Sequence, residues 1–266
     1  MIAMRLIKTH AYGNDFLLWP VMSGSGSEEP VADLARRLCD RHRGVGADGF
    51  IRVEPTADGA DTTLINADGS IAEVSGNGLR CVAAWLASDR RLSAGARVVI
   101  RTAAGAKPLT LVEHAAGQWT FRADMGQPQG LRQESIQLGG ESIAAIVLSM
   151  GNPQCVILGD VSDDRLRRIA APLATHPHFP QGTNVELASV ESPERVRILI
   201  WERGVGPTEA SGTGACASAV AAAAYGGAGR DVEVVSPGGA QRVEWMDNGV
   251  FLTGWARIVA TVESFI

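Results

Sequence analysis

The chain has 266 residues and a net charge of −5, and its acidic and basic residues are interspersed. With no basic face and no apolar run long enough to span a membrane, it is predicted to bind neither nucleic acid nor a bilayer. Four well-separated cysteines and an N-terminus without a signal-peptide pattern predict free thiols and a cytoplasmic protein.

The first half of the chain alternates strand patterns with two helix patterns. A helix is predicted over Val31–Asp40, and a second begins at Ser75, where small apolar residues follow a glycine turn. The serine- and glycine-rich segment Met22–Pro30 predicts a surface loop. β-Branched and alternating residues predict strands at residues 5–10, 50–54, 62–66, 97–102, 109–113 and 119–123.

The second half has the same character. Ala215–Tyr225 is small and apolar on every side, which is typical of a completely buried helix, and Gly226–Gly227 predicts its end. Strands are predicted at residues 143–148, 155–158, 196–201, 232–236, 241–245 and 250–253. Because only strands are available to cover such a helix, we expect each half to be a curved sheet around one central helix.

Two similar blocks, Ser75–Gly78 (SGNG) and Ser211–Gly214 (SGTG), stand 136 residues apart. Gly13–Asn14 and Gly151–Asn152 precede them in the same order and at nearly the same offset, which indicates an internal duplication. The first N–H groups of each helix lack intrahelical partners, so both blocks favour an anion. We therefore expect two lobes with the ligand site between them.

The predicted fold class is α+β, with two pseudo-symmetric lobes that each wrap a curved mixed or antiparallel sheet around a central helix. The N-terminal lobe is predicted to cover residues 1–115 and to be completed by a C-terminal strand at 255–266. The C-terminal lobe is predicted to cover residues 116–254. The boundary is placed where Gly117 and neighbouring polar residues interrupt the strand pattern.

Eight motifs in order resemble those of the diaminopimelate epimerase family and span nearly the whole chain. One Gly-Asn-Gly is weak evidence, whereas eight motifs at family spacing are specific. The motifs are Gly13–Phe16, Arg41–Gly49, Asn66–Ser70, Gly76–Cys81, Gly151–Pro153, Asn184–Val185, Glu202–Gly206 and Gly212–Gly214. The resemblance implies the family's two-lobed fold and a cofactor-independent epimerase that interconverts LL- and meso-diaminopimelate in lysine biosynthesis.

The resemblance also implies residue roles. One base on each face of the α-carbon removes or delivers a proton, and the matching positions are Ser75 and Ser211, with Glu202 beside the reacting centre. The glycine turns bind the α-carboxylate of the substrate through backbone N–H groups, and asparagines and an arginine bind the remote end of the substrate. The implied substrate-binding residues are Asn14, Asn66, Gly76, Asn77, Asn152, Asn184, Glu202, Arg203, Gly212 and Thr213.

The chain departs from the family pattern at both bases. The family has cysteine where Ser75 and Ser211 stand, and histidine where Gln154 stands. A helix N-terminus favours the thiolate of a cysteine, whereas a serine acts as a base only when another base takes its proton. Cys81 and Cys216 follow one and a half turns later, and we interpret them as packing residues.

Other interpretations stay open. Serine is a favoured N-cap, so Ser75 and Ser211 have a purely structural explanation as helix caps. The chain could instead be a related isomerase or dehydratase acting on another amino acid, or a non-catalytic amino-acid-binding protein. The serines are either natural divergence or engineered replacements, and Gln154, a third departure, favours divergence.

No cofactor and no metal are predicted. The two lysines, Lys8 and Lys107, stand in no catalytic context for a Schiff base, and no phosphate loop or dinucleotide fingerprint is present. The histidines show no metal-ligand spacing. The expected partners are a small zwitterionic, diaminopimelate-like substrate and a second copy of the chain in a homodimer.

Overall fold

The structure is a computed structural model that describes residues 3–21 and 30–265. The loop predicted at residues 22–30 lies outside the described residues except for Pro30. Contacts divide the chain into two units, Met1–Ala123 with Gly254–Ile266, and Asp124–Thr253. The division falls after Ala123 rather than after residue 115, because residues 115–118 form the tight turn of a β-hairpin in which Ala116 and Gly117 have positive φ.

The first unit begins with a hairpin and alternates antiparallel with parallel pairings. β1 pairs antiparallel with β2, β2 parallel with β3, β3 antiparallel with β4, and β4 parallel with β6. β6, β7 and β8 form an antiparallel meander, and β5 is a short strand on β4. The elements are β1 (Ala3–Ala11), β2 (Asn14–Pro20), α1 (Val31–Cys39), β3 (Gly49–Pro55), β4 (Gly59–Asn66), β5 (Ile71–Ala72), α2 (Gly76–Asp89), β6 (Arg97–Thr102), β7 (Gly105–Ala115) and β8 (Gln118–Gly126).

The second unit repeats this order. β10 pairs antiparallel with β11, β11 parallel with β12, β12 antiparallel with β13, and β13 parallel with β15. The end of β17 belongs to the first unit, where it pairs with β1. The elements are β9 (Gln129–Leu138), β10 (Glu141–Ser149), β11 (Pro153–Leu158), α3 (Asp163–Ala174), β12 (Asn184–Ser192), β13 (Arg195–Glu202), β14 (Gly206–Thr208), α4 (Gly212–Ala221), β15 (Asp231–Ser236), β16 (Gly239–Met246) and β17 (Gly249–Phe265).

A central helix lies against the strands of each unit. α2 contacts β1, β2, β4, β6 and β7, while α4 contacts β10 to β13, β15 and β16. α4 is buried along its whole length because its residues are small and apolar, and it continues as a π-helical turn to Gly226. Gly227, with a φ of 80°, ends it as predicted. The predicted α+β fold of two pseudo-symmetric lobes is confirmed.

Two outer helices cover the sheets through one apolar face each. In α3, Leu166, Ile169 and Leu173 pack against β12, and α1 makes the equivalent contact with β3 and β4 in the first unit. The sequence analysis did not predict α3, β2, β9 or β12. The strands mix polar with apolar residues, so their alternation is weak. α3 has apolar residues at helical spacing, Leu166, Ile169, Ala170 and Leu173, but it also contains Pro172, which is unfavourable inside a helix.

The helix cysteines are buried, as packing residues are. Cys81 and Cys216 are both fully buried. Burial raises the pKa of the Cys81 thiol to about 12. In the part of the chain that the structure describes, no helix is both long and apolar enough to cross a membrane.

Candidate active site

Each central helix begins at a serine that caps it. Ser75 has φ −131° and ψ 121°, and its Oγ accepts a hydrogen bond from the N–H of Gly78 at 3.1 Å. Ser211 has φ −134° and ψ 130°, and its Oγ accepts from the N–H of Gly214 at 3.2 Å. Both serines are therefore N-caps, and each hydroxyl keeps its own O–H for donation to another group.

In the first unit, two asparagines are joined at the start of α2. Asn77 Nδ2 donates to Asn14 Oδ1 at 3.2 Å, and Asn14 Nδ2 donates to Asp48 Oδ2 at 2.9 Å. Arg80, fully buried one turn along α2, donates to Asn77 Oδ1 and lies 5.5 Å from the ring centre of Tyr12. The orientation of Asn14 is thus fixed by a carboxylate that the sequence analysis did not single out.

Asp48 is held by an ionic network. Arg41 donates to Asp15 at 2.8 and 3.1 Å and to Asp48 Oδ1 at 2.8 Å. Burial raises the pKa of Asp15, but the hydrogen bonds from Arg41 and Lys8 outweigh it and lower that pKa to about 2. Asp15 therefore remains a carboxylate and anchors the β1–β2 turn that carries Asn14.

The remaining first-unit residue, Asn66, lies in the β4–β5 turn, where its Nδ2 donates to Ser70 Oγ at 3.0 Å. A cavity of about 230 Å³ within this unit is lined by residues of β4, β5, β6 and the start of α2, including Glu73 and Ser75. Ser75 thus stands at the wall of an open space.

In the second unit, Asn152 and Thr213 are joined in the same way as the first-unit asparagines. Asn152 Nδ2 lies 3.4 Å from Thr213 Oγ1, and Gln154 Nε2 donates to Asn152 Oδ1 at 2.7 Å. Ser211 and Thr213 are buried, with 4% and 6% of their surfaces exposed. The position that lacks the family histidine is therefore filled by an amide that supports Asn152.

Asn184 and Arg203 are brought together by β12 and β13. Asn184 Oδ1 accepts from the backbone N–H of Arg203 at 2.9 Å, and the Arg203 guanidinium donates to the carbonyl of Gln181 at 2.6 Å. Glu202 is the last residue of β13, one position before Arg203. The strand end therefore presents a carboxylate, an amide and a guanidinium side by side.

Glu186 is a buried acid that the sequence analysis missed. It lies two residues after Asn184 on the same face of β12 and has no exposed surface. Burial, and next the negative charge of Glu202, raise the pKa of the Glu186 carboxyl well above its ordinary range. The signal available in the sequence was weak, namely a carboxyl two residues after Asn184 and between Val185 and Leu187.

No set of His, Cys, Asp and Glu side chains among the described residues is arranged to hold a metal ion. The groups described above can form hydrogen bonds through helix N-termini and asparagines, and can exchange protons through hydroxyl and carboxyl groups. The structure joins Asn14 with Asn77, Asn152 with Thr213, and Asn184 with Arg203, each pair within one unit.

Comparison with known proteins places the chain in a family. The model of the diaminopimelate epimerase family matches residues 6–131 and 146–259. The diaminopimelate epimerase of Desulforudis audaxviator is 41% identical over 275 residues, covering 96% of this chain and 97% of that relative. The one from Heliobacterium modesticaldum is 38% identical over 276 residues, covering 94% and 96%.

Solved structures share the fold at low sequence identity. A predicted epimerase from Pseudomonas aeruginosa matches with a TM-score of 0.78 and 16% identity, covering 99% of both chains. A probable proline racemase from Agrobacterium radiobacter matches with a TM-score of 0.77 and 15% identity, covering 99% and 93%. The fold is thus common to several isomerases, and the family match with its full-length relatives is the specific finding. The chain belongs to the diaminopimelate epimerase family.

Proposed function

We propose that this protein interconverts LL- and meso-diaminopimelate by α-proton transfer without a cofactor. The observation that carries the proposal is the repeated helix start, in which Ser75 and Ser211 cap α2 and α4 with nearly the same geometry. These are the two positions at which the family pattern has its bases. Relatives that match over nearly the full chain are named diaminopimelate epimerase.

The substrate carboxylate is proposed to bind at the helix starts. The N–H groups at Gly76, Asn77, Gly212 and Thr213 lie in the first turns, where backbone donors lack intrahelical partners and the helix dipole favours negative charge. This binding also withdraws charge from the α-carbon and so acidifies its proton.

We assign the binding of the remote amino-acid end of the substrate to polar side chains that stand at strand ends and in turns. Carboxamide groups can bind both an ammonium and a carboxylate, and a guanidinium binds a carboxylate. The assigned residues are Asn14, Asn66, Asn152, Asn184 and Arg203.

Proton transfer is assigned to the two serines and Glu202. As one Oγ takes the α-proton, the hydroxyl proton of that serine passes to a carboxylate. The other serine gives its proton to the opposite face of the carbon and takes a replacement from a protonated carboxyl. Hydroxyls are weaker bases than thiolates, so we expect slower turnover than a two-thiol site supports.

The test is deuterium incorporation from D₂O into each diaminopimelate stereoisomer, followed together with appearance of the other stereoisomer. We expect deuterium at one α-carbon and inversion there, both reduced by Ser75→Ala and Ser211→Ala. The control is Ser93→Ala, an exposed serine outside the site.

Other results would point elsewhere. Ligand-induced thermal stabilisation without any exchange would make the chain a binding protein, because a ligand bound only to the folded state raises its stability. A product of lower mass would indicate a dehydratase. No stabilisation by millimolar diaminopimelate would remove it as the ligand.

We further propose a cytoplasmic location, a place in lysine biosynthesis and a homodimer. The four cysteines are free and buried, as expected in a reducing compartment. The homodimer rests on the family resemblance, and sedimentation equilibrium would test it.

A further inference from the structure

The internal repeat gives every position in one unit a counterpart in the other. Phe16 pairs with Gly49 between β2 and β3, and Gln154 pairs with Asn184 between β11 and β12. Gly49 of β3 therefore corresponds to Asn184 of β12, and two residues further along each strand Ile51 corresponds to Glu186. The second unit therefore has an amide and a carboxyl where the first has a phenyl ring and a sec-butyl group.

Contacts with the central helices confirm this correspondence. A β-carbon placed on Gly78 would lie 3.0 Å from Ile51 Cδ1, and one placed on Gly214 would lie 2.7 Å from Glu186 Oε1. Both contacts are made at the glycine whose N–H bonds to the capping serine. Because an apolar side chain fills this place in the first unit, packing alone does not explain an acid in the second.

Glu186 and Gln154 are both buried, with 0% and 1% of their surfaces exposed. A buried carboxyl and a buried amide are costly unless they bond to partners. They lie against each other, with an oxygen of the Gln154 amide group 2.9 Å from Glu186 Oε1 in the orientation that donates to Asn152. Two oxygens at this distance repel unless a proton lies between them, so this orientation of the amide is compatible only with a protonated Glu186.

The rotated amide fits the ionised acid. Its nitrogen then donates to Glu186 at 2.9 and 3.3 Å, and its oxygen accepts from Asn184 Nδ2 and Thr213 Oγ1, both at 3.2 Å. Rotation of one amide thus accommodates either protonation state of Glu186. The rotation also moves the Gln154 bond from Asn152 to Asn184 and Thr213.

We propose that Glu186 is the proton-exchanging partner of Ser211 in the α-proton transfer, and that Gln154 holds Glu186 in both of its protonation states. The proposal rests on the proposed function. Ser211 Cβ and Glu186 Oε1 lie within about 6 Å of each other, since a β-carbon on Gly214 would be 3.2 Å from the first and 2.7 Å from the second. Glu186 acts through Ser211 and does not touch the reacting carbon.

The proton balance is complete in both directions. When Ser211 Oγ gives its proton to the α-carbanion, Oγ takes the Glu186 proton, and the carboxylate that remains receives a bond from the rotated Gln154 amide. When Oγ takes the α-proton, its own proton passes to the Glu186 carboxylate and the amide rotates back.

The surroundings of Glu186 favour its protonated form before the reaction begins. Glu202, at the end of β13, faces Glu186 with a negative charge, and Cys155 on β11 has its own pKa raised by burial and then by Glu186. From α4 the titratable side chain is Cys216, which is buried. No positive charge from the described residues offsets these two effects on Glu186, so Ser211 begins as a proton donor.

The first test detects the proton directly. Infrared spectra of the wild type at neutral pH should contain the carbonyl band of a protonated carboxyl, and Glu186→Gln should lose it. Glu191→Gln, on the solvent-exposed end of the same strand, should retain it. A wild type without this band would overturn the assignment of the proton, whether or not the protein is active.

The second test separates a proton-transfer role from a structural one. Glu186→Gln should lower kcat for α-proton exchange at least ~100-fold, the scale of a positioned acid or base, with KM nearly unchanged, and Glu186→Asp should recover part of it. In a Ser211→Cys background the loss should shrink below ~10-fold because the thiol ionises by itself. In a Ser75→Cys background the full loss should remain.

The outcomes distinguish the two proposals. Equal exchange by wild type and Glu186→Gln would overturn the role of Glu186 and leave the epimerase function intact. Equal losses in the Ser211→Cys and Ser75→Cys backgrounds would also overturn it, because a merely structural defect does not depend on which base is changed. A wild type with no exchange on any stereoisomer would overturn the function, and the proton step with it.

Discussion

Restoring cysteine at Ser75 and Ser211 together tests whether the rest of the site still supports α-proton transfer. Each Oγ now accepts an N–H bond, from Gly78 at 3.1 Å and from Gly214 at 3.2 Å. A sulfur in either place would accept the same N–H at the positive end of a helix dipole, which favours the thiolate. The substitution therefore changes the base and keeps its support.

The size of the gain follows from the fraction of base present. A thiol with a pKa near ~8.5 is about one quarter thiolate at pH 8, whereas a serine hydroxyl is essentially un-ionised. A positioned general base contributes 10²- to 10⁴-fold, so we expect at least a ~100-fold gain in epimerisation by the double variant. Ser211 is only 4% exposed and Ser75 is half-buried, so burial should make the thiol at 211 ionise at higher pH.

The assay follows deuterium incorporation and loss of optical rotation for the wild type, both single variants and the double. Each single variant should gain exchange from one stereoisomer while inversion lags, because inversion needs a base on both faces. Ser93→Cys serves as the control. A double variant that gains nothing would mean that the substrate-binding residues have diverged as well as the bases, with Gln154 the first residue to examine.

Three further predictions concern ionisation. Because folding raises the pKa of Glu186, proton binding there stabilises the fold at low pH. This contribution is lost as the pH rises from about 4.5 towards the pKa of the folded state, by at most about 1.4 kcal/mol per pH unit. The Tm of Glu186→Gln should therefore rise relative to wild type between about pH 5 and 8 in thermal scans. The pKa of Asp15 is lowered to about 2 although burial raises it, and the largest lowering effect is the hydrogen bond from Arg41. Asp15→Asn should lower the free energy of unfolding, measured with urea, by about 1–2 kcal/mol at neutral pH. The difference should shrink below about pH 4, because protonation of the wild-type carboxyl removes the stabilisation that its ionised form provides. Because Cys81 and Cys216 are buried, native activity should survive iodoacetamide, and inactivation in step with their labelling would contradict their packing role.

Local patterns were enough to predict the two helix starts and most strands. Ser75 and Ser211 cap helices through bonds to residues three positions away, so a few neighbouring residues contain the whole signal. β6 was predicted at its observed bounds because it is rich in β-branched residues, with Val98, Val99 and Ile100 in succession. α3 was missed although Leu166, Ile169 and Leu173 have helical spacing. Pro172 is unfavourable inside a helix, and the packing of α3 on β12 and β13 is a long-range contact.

The sequence by itself determined the duplication, the caps and the residue types available for chemistry, since each of these depends on neighbours along the chain. Only the tertiary structure decided that Asp48 orients Asn14 and that Glu186 lies against Gly214 and Gln154. These contacts join distant strands and helices. The physical reason is that the protonation state of a carboxyl depends on desolvation and nearby charge, which exist only after the strands have packed around the helix.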